Sequence, residues 1–130
     1  MAKVFISYRH HQRQWVRDKL LPCLRAGGAE VLIDYEHFQA GQTVTGQMDA
    51  LQDSAALNVL ILTPDYLASD YCRHEMNRAV ARAAHFPETA VIPVKLIDCP
   101  LPAAISADKL IHVDLCDDRD AAQWDLLLRA

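Results

Sequence analysis

The sequence lacks long apolar runs and clusters of positive charge. Its apolar stretches, such as VLIL at 59–62, are far shorter than the roughly 20 residues that a membrane span requires, so we expect no membrane partner. The formal net charge is −4 and no basic run occurs, so nucleic acid, which binds through clustered lysine and arginine, is not an expected partner. The N-terminal stretch turns charged within nine residues, without a signal peptide's apolar region, which favours a cytoplasmic location.

Several motifs of enzymes and metal proteins are also missing. Only four glycines occur, and neither G-x-G-x-x-G nor G-x-x-x-x-G-K-[ST] is present, which excludes the common phosphate-binding loops. The G-x-S-x-G elbow of serine hydrolases is absent, and Ser7 stands among apolar neighbours in a predicted strand, so we expect no nucleophilic serine. The four cysteines are widely separated and the histidines lack metal-ligand spacing, so we predict reduced thiols and no metal.

What is present is a regular alternation of strands and helices. β-branched and apolar runs predict five strands, at 3–8, 30–34, 58–63, 90–96 and 110–115. Four helical patterns lie between and after the strands. The first covers 12–28, with a kink or restart at Pro22, and the second has an apolar face made of Val44, Met48, Leu51 and Ala55. The third carries Glu75, and the fourth covers 118–130. Pro93 indicates that the strand at 90–96 is an edge strand or contains a bulge.

This alternation predicts a single α/β domain over residues 1–130. The expected architecture is a flavodoxin-like three-layer fold, with a five-stranded parallel sheet in the order 2-1-3-4-5 and helices on both faces. The last helical pattern has no glycine, proline or polar stop, which favours the N-terminal part of a longer multidomain protein.

In such a sheet, ligands bind beyond the carboxyl ends of the strands, beside the reversal of strand order. Three segments are expected there: Tyr8–His10, Asp34–Gly41 and Thr63–Glu75. Phosphate-receiver domains share this strand order, but they need acidic residues after the first strand and an aspartate at the end of the third. This sequence has YRHH and LTPD at those places, which excludes a receiver function.

Glu75 admits two interpretations. On a helical wheel, the buried stripe consists of Cys72, Met76, Ala79, Val80 and Ala83. Glu75 then lies at the border of core and solvent, stacked over Tyr71. It is either a surface glutamate paired with Arg78 three residues later, or the functional carboxylate of the cleft.

Four segments together resemble the successive boxes of a TIR (Toll/interleukin-1 receptor) domain. They are VFISYRH at 4–10, VLIDYEHFQAGQ at 31–42, ILTPDYLASDYCRHE at 61–75 and VIPVKL at 91–96. The resemblance covers essentially the whole chain and is greatest to bacterial TIR domains of the enzymatic branch. It implies NAD⁺ hydrolase activity, in which the nicotinamide–ribose bond is cleaved to give nicotinamide and ADP-ribose or a cyclic isomer. NAD⁺ is then the substrate, and no cofactor is implied.

The resemblance also implies roles for individual residues. The family's catalytic glutamate falls on Glu75, and the aromatic residue of its W-x-x-x-E motif falls on Tyr71, where tryptophan is commoner. The other implied substrate-binding residues are Tyr8, Arg9, Asp34 and Phe38. Pattern alone equally allows a solvated strand-end charge at Arg9, a loop cap at Asp34, and a packing or interface residue at Phe38.

Glycosidic chemistry is compatible with a single carboxylate. Cleavage of an N-glycosidic bond builds positive, oxocarbenium-like charge on the ribose, which an ionised Glu75 would stabilise. Nicotinamide leaves as a neutral molecule and needs no general acid, so the second carboxylate of ordinary glycosidases is unnecessary.

The resemblance further implies self-association through the BB loop, which falls on Tyr35–Thr43 and includes Phe38 and Gly41. In the related bacterial domains, activity is latent until assembly, and a fused sensor domain, absent from this chain, triggers anti-phage immunity. The alternative function is a non-enzymatic scaffold that only recruits other TIR domains. A third possibility is a virulence factor that mimics host TIR partners.

Overall fold

A five-stranded parallel sheet forms the centre of the molecule. The computed structural model describes residues 3–33, 40–41, 43–86, 88–106 and 110–129. The strands are β1 (Lys3–Ser7), β2 (Glu30–Leu32), β3 (Leu57–Leu62), β4 (Ala90–Lys95) and β5 (Val113–Asp114). They pair in the order β2-β1-β3-β4-β5, and every neighbouring pair is parallel, so the predicted order is confirmed. The fifth strand is shorter than the predicted 110–115.

Helical segments connect the strands. In the described ranges the α-helices are α1 (Arg13–Trp15), α2 (Leu21–Ala26), α3 (Val44–Ser54), α4 (Pro64–Ala68), α5 (Asp70–His85) and α6 (Ala121–Leu128). Helix α4 was not predicted, because Pro64 directly after a strand indicates a stop. Proline is nevertheless tolerated in the first turn of a helix, and the Thr63 hydroxyl caps α4 by accepting the N–H of Tyr66 at 3.0 Å.

The predicted interruption at Pro22 is confirmed. Between α1 and α2 the chain has π-helical geometry over Val16–Leu20, and α2 restarts at Leu21. Pro22 therefore lies just after the segment in which the helical geometry changes, and the backbone remains helical at Leu20 and Leu21. The segment ends at Gly27, and Gly28 follows with a φ of +91°, which a residue with a side chain rarely adopts.

The expectation that Pro93 marks an edge strand or a bulge is wrong. β4 lies between β3 and β5, and its register with β3 is continuous, with Pro93 opposite Leu60. On the other side, β5 pairs only with Val94 and Lys95. Pro93 therefore has a neighbouring strand on one side only, so its missing N–H can be accommodated.

The strands alternate their side chains between two helical layers. Helices α1, α2 and α6 cover one face, where Val4, Ile6 and Val59 are buried. Helices α3, α4 and α5 cover the other face, where Phe5 and Leu60 are buried. The prediction of helices on both faces is confirmed, and so is the buried stripe of α5, whose residues either are buried or pack against this second core.

Two tryptophans join α1 to the start of α6 on the first of these faces. The rings of Trp15 and Trp124 stack with their centroids 6.1 Å apart. Trp15 Nε1 donates to the Asp118 carboxylate at 3.0 Å, and Trp124 Nε1 donates to the Asp118 carbonyl oxygen at 2.8 Å. The contact holds α6 against α1, in the helical layer on the opposite side of the sheet from Glu75.

Across the ranges given above, no helix is both long and apolar enough to cross a membrane.

Candidate active site

An open cavity of about 160 Å³ lies at the carboxyl end of β1, beside which the strand order reverses. The segment after β1 forms one wall and the first turns of α5 form another. The lining residues are Ile6, Tyr8, Arg9, His10, Met48, Ser69, Tyr71, Cys72 and Glu75. Open parallel sheets bind their ligands at this position, so the cavity is the candidate site.

Two larger cavities, of about 320 and 380 Å³, lie elsewhere in the molecule. The first is lined by residues such as Leu24, Gly28 and Leu127, and the second by residues such as Val80 and Leu110. Neither lining contains an ionisable side chain. The smaller cavity is therefore the better candidate for chemistry, despite its size.

The start of α5 positions Glu75 at the cavity. Ser69 caps the helix, because its hydroxyl oxygen accepts the N–H of Cys72 at 3.3 Å. Glu75 is only 2% exposed, so the expected position at the border of core and solvent is wrong. A helical wheel considers one helix alone, whereas Ser7 of β1 and Tyr66 of α4 contribute to the burial of this side chain.

The carboxylate of Glu75 belongs to a buried chain of hydrogen bonds. Ser7 Oγ donates to Glu75 Oε1 at 2.9 Å, and the Tyr66 hydroxyl lies 2.7 Å from Ser7 Oγ. Ser7 and Tyr66 are both fully buried. The strand β1 and the helices α4 and α5 therefore converge on one carboxylate.

Burial determines the protonation of the groups around Glu75. It raises the pKa of Tyr66 well above the ordinary tyrosine value, despite the opposing effect of the Ser7 hydrogen bond, and the nearby Glu75 raises it further. Burial also raises the pKa of the Cys72 thiol, despite the opposing contact with Ser69. Both groups are therefore neutral at physiological pH, and Cys72 is not an activated nucleophile.

A second set of contacts holds the main chain at Glu75. Gln52 of α3 is fully buried, and its Nε2 donates to the Glu75 carbonyl oxygen at 2.7 Å and to Asn58 Oδ1 at 3.1 Å. Its Oε1 accepts from Arg78 Nε at 3.2 Å. One amide thus connects α3, β3 and α5. Both N–H groups of Nε2 donate, and Oε1 accepts.

Arg78 pairs with α3 and not with Glu75, contrary to the surface-glutamate interpretation. Its Nη2 lies 2.5 Å from the carboxylate of Asp53, and its Nε lies 3.3 Å from that of Asp49. Arg82 also donates to the Asp53 carbonyl oxygen, at 2.8 Å. Glu75 is buried, whereas both arginines lie on the side of α5 that contacts α3.

Arg9 lies at the mouth of the cavity. Its Nε is 3.9 Å from Asp65 Oδ2, and its side chain is 40% exposed. The same carboxylate oxygen contacts Nδ1 of His11. The mouth therefore carries a positive charge that is partly neutralised, but still accessible to an anionic ligand.

The structure brings together four of the residues that were predicted from sequence. Tyr8, Arg9, Tyr71 and Glu75 line the same cavity. Asp34 and Phe38 lie outside the described residues, as does most of the loop Tyr35–Thr43. Gly41 in that loop has a φ of +84°, which favours glycine.

Ser7, Tyr66 and Gln52 were not predicted as functional residues from the sequence. Ser7 was considered only as a nucleophile, and Gln52 looks like an ordinary helical residue. One signal was available for Ser7. The period of two in β1 places Ser7 on the same face of the sheet as Phe5, and both faces of the predicted sheet are covered by helices. A hydroxyl at such a core position needs a buried partner.

In the part of the chain that the structure describes, no cluster of three or more His, Cys, Asp or Glu side chains could hold a metal ion.

A comparison with models of protein families assigns the chain to one family. The family model described as "TIR domain" matches residues 4–128. Human Toll-like receptor 1 is 25% identical over 96 residues, which cover 74% of this chain and 12% of the receptor, so the chain spans only a small part of that relative. The TIR domain of the Toll-related receptor TRR-2 from Hydra magnipapillata superposes with a TM-score of 0.82 at 18% identity, covering 99% of this chain and 97% of that one. The TIR domains of the activated Roq1 resistosome, which recognises the effector XopQ, superpose with a TM-score of 0.65 at 20% identity, covering 98% and 81%.

Proposed function

Because the chain belongs to the TIR domain family, which includes NAD⁺ hydrolases, we propose that it is an NAD⁺ glycohydrolase with Glu75 as its catalytic carboxylate. The reaction is cleavage of the nicotinamide–ribose bond, which yields nicotinamide and either ADP-ribose or a cyclic isomer. Tyr8, Arg9, Asp34, Phe38 and Tyr71 are the proposed substrate-binding residues. NAD⁺ is the substrate, and the reaction uses no other cofactor.

The burial of Glu75 at the wall of an open cavity is the observation that supports this proposal most strongly. A glutamate that is 2% exposed and hydrogen-bonded by Ser7 is not a solvated helix charge. Removing a carboxylate from water is costly, and functional sites are where proteins concentrate such buried ionisable groups. A scaffold that works only through its outer surface has no need for this arrangement.

The chemistry of the reaction suits one carboxylate in this setting. As the glycosidic bond breaks, positive charge develops on the ribose, and an ionised Glu75 beside it stabilises the transition state. Nicotinamide departs as a neutral ring, so no proton has to be delivered to it. Tyr71 and Tyr8 offer aromatic surfaces for the ring or the adenine.

The cavity is smaller than the roughly 300–1,000 Å³ of typical small-molecule sites. It has room for a ring and part of a sugar, so the rest of the dinucleotide must lie along the mouth near Arg9. We therefore propose that self-association through the loop Tyr35–Thr43 completes the site. By the same proposal, a fused sensor domain in a longer cytoplasmic protein triggers the assembly, in bacterial immunity against phages.

Replacing Arg9 with alanine is expected to raise the KM for NAD⁺ about tenfold and to change kcat little, because the guanidinium binds the pyrophosphate and not the reacting ribose. Steady-state kinetics of nicotinamide release measure both constants. The matched control is Arg17→Ala, which removes an exposed arginine that pairs with Asp18, away from the cavity. If both variants had the wild-type KM, Arg9 would be only a solvated strand-end charge.

Nicotinamide release from NAD⁺, followed by chromatography, tests the function itself. Wild-type protein and Glu75→Ala are assayed in dilute solution and clustered at high density on a surface. We expect Glu75-dependent release that is greater in the clustered form, and the second product peak distinguishes ADP-ribose from a cyclic isomer. No release in either form, with any sensor domain of the full-length protein supplied as well, would contradict the hydrolase proposal.

A non-enzymatic scaffold is the second candidate function. It is favoured by the relationship to Toll-like receptor 1, a receptor of which this chain matches 12%. A scaffold would recruit other TIR domains through its surface loops and would tolerate substitution of a buried carboxylate. Binding to a partner TIR domain that survives Glu75→Gln, together with an absence of NAD⁺ cleavage, would support this alternative.

A further inference from the structure

We propose that Ser7, oriented by Tyr66, is a positioning residue that fixes the carboxylate of Glu75 for catalysis. This inference rests on the proposed hydrolase function and adds two residues to its machinery. Neither Ser7 nor Tyr66 is among the residues that line the cavity, so each acts through Glu75.

The direction of the hydrogen bonds follows from the number of protons available. An ionised carboxylate only accepts, so the single hydroxyl proton of Ser7 is donated to Glu75 Oε1 across 2.9 Å. Ser7 Oγ can then only accept at 2.7 Å from the Tyr66 hydroxyl, which is the donor. The high pKa of buried Tyr66 keeps that donor protonated. The result is a directed chain from Tyr66 through Ser7 to Glu75.

Both supporting residues are held on rigid elements. Ser7 pairs with Leu60 of β3, and its strand β1 lies between β2 and β3. Tyr66 is fully buried in α4, which is capped by Thr63. The Glu75 carboxylate can rotate about several side-chain bonds, whereas Ser7 Oγ rotates about one bond only and contacts both Tyr66 and Glu75. The sheet therefore sets the orientation of Glu75 Oε1.

The chain also favours the charged form of Glu75. Burial by itself disfavours an ionised carboxylate, and a donated hydrogen bond opposes this effect. Two hydroxyls in series polarise each other, so the bond to Glu75 is stronger than one from an isolated serine. Without it, a larger fraction of Glu75 would be protonated at a given pH and unable to stabilise the positive ribose.

Three variants test the proposal: Ser7→Ala, Tyr66→Phe and the double substitution, which remove hydroxyl groups and nothing else. The matched control is Cys99→Ala, which also removes one γ atom from a buried side chain and lies in the same core cluster as Tyr66. Nicotinamide release from NAD⁺ is measured on the clustered full chain across pH, and thermal unfolding confirms that each variant is folded at the assay temperature.

Ser7→Ala is expected to lower kcat about 10- to 100-fold, the effect of one hydrogen bond to a charged group, with KM within about threefold of wild type. Tyr66→Phe should lower kcat less, and the double variant should equal Ser7→Ala, since Tyr66 acts through Ser7. The acid limb of kcat should move to higher pH in Ser7→Ala, because the lost donor favours the protonated carboxyl. The other ionisable groups that line the cavity are unchanged in these variants: Tyr8, Arg9, His10, Tyr71 and Cys72. Cys99→Ala should keep the wild-type kcat and pH profile.

A Ser7→Ala variant with wild-type kcat and an unmoved acid limb would overturn the positioning role. Failure of the hydrolase proposal is recognised separately, because the wild type would then release no nicotinamide. In that case a ¹³C NMR titration of the Glu75 carboxyl, assigned by its loss in Glu75→Gln, decides the question. A midpoint that is higher in Ser7→Ala than in the wild type supports the hydrogen-bond chain, and identical midpoints refute it.

Discussion

Glu75→Gln is expected to lower kcat for nicotinamide release at least about 100-fold and to leave the fold as stable as the wild type or more so. The amide has the shape of the carboxylate and can still accept the Ser7 hydrogen bond, but it carries no charge to stabilise the ribose in the transition state. A 100-fold loss corresponds to about 3 kcal/mol of activation free energy. Stability should not fall, because a neutral amide is removed from water at lower cost than a carboxylate.

Measuring kcat together with the free energy of unfolding separates catalysis from folding in this variant. Glu88→Gln is the matched control, since it removes an exposed carboxylate of the same type, and both quantities should stay at their wild-type values. Wild-type turnover by folded Glu75→Gln would remove the catalytic role from this residue. A large loss of stability would instead show that the charge itself holds the core together.

Gln52→Leu is expected to lower the free energy of unfolding by about 2–4 kcal/mol. Leucine fills a similar volume, but it leaves the buried Asn58 Oδ1 without the donor at 3.1 Å and Arg78 Nε without the acceptor at 3.2 Å. It also removes the tie between α3 and the Glu75 carbonyl oxygen. Turnover should fall as well, because α5 is then less firmly placed against the cavity.

Urea unfolding of Gln52→Leu and of Gln14→Leu provides the comparison. Gln14 is an exposed residue of α1, so its replacement should change the free energy of unfolding by less than about 0.5 kcal/mol. If Gln52→Leu were equally harmless, the amide would be replaceable by apolar packing. The hydrogen bonds of Gln52 would then orient the groups that they contact without adding to the free energy of unfolding.

The strand order was predictable because its signals are local. Each strand of a parallel sheet is a short apolar run, and each crossover has helical periodicity, so the alternation indicates a parallel sheet and the number of strands favours the order 2-1-3-4-5. Helix α4 and the two-residue β5 were not predictable in this way. Pro64 is compatible with a turn and with a helix start, and the length of β5 depends on how far β4 extends beside it.

The position of the candidate site was predictable, but the support of its central residue was not. Tyr8, Arg9 and Tyr71 follow from strand ends and helical spacing. The burial of Glu75 depends on three elements that are distant in sequence, and Ser7 is 68 residues away from it. A polar network of this kind forms only when the sheet and both helices are in place. Asn58 and Gln52 therefore have no signature in their own neighbourhoods.

The stacked pair Trp15 and Trp124 determines what optical measurements on this protein report. They are the two tryptophans of the chain, and both lie on the face of the sheet opposite to α5. Where a TIR domain usually has the tryptophan of its W-x-x-x-E motif, this chain has Tyr71, so no indole lies beside Glu75. Tryptophan emission therefore originates entirely in the contact between α1 and α6. It records the integrity of the fold independently of events in the candidate site.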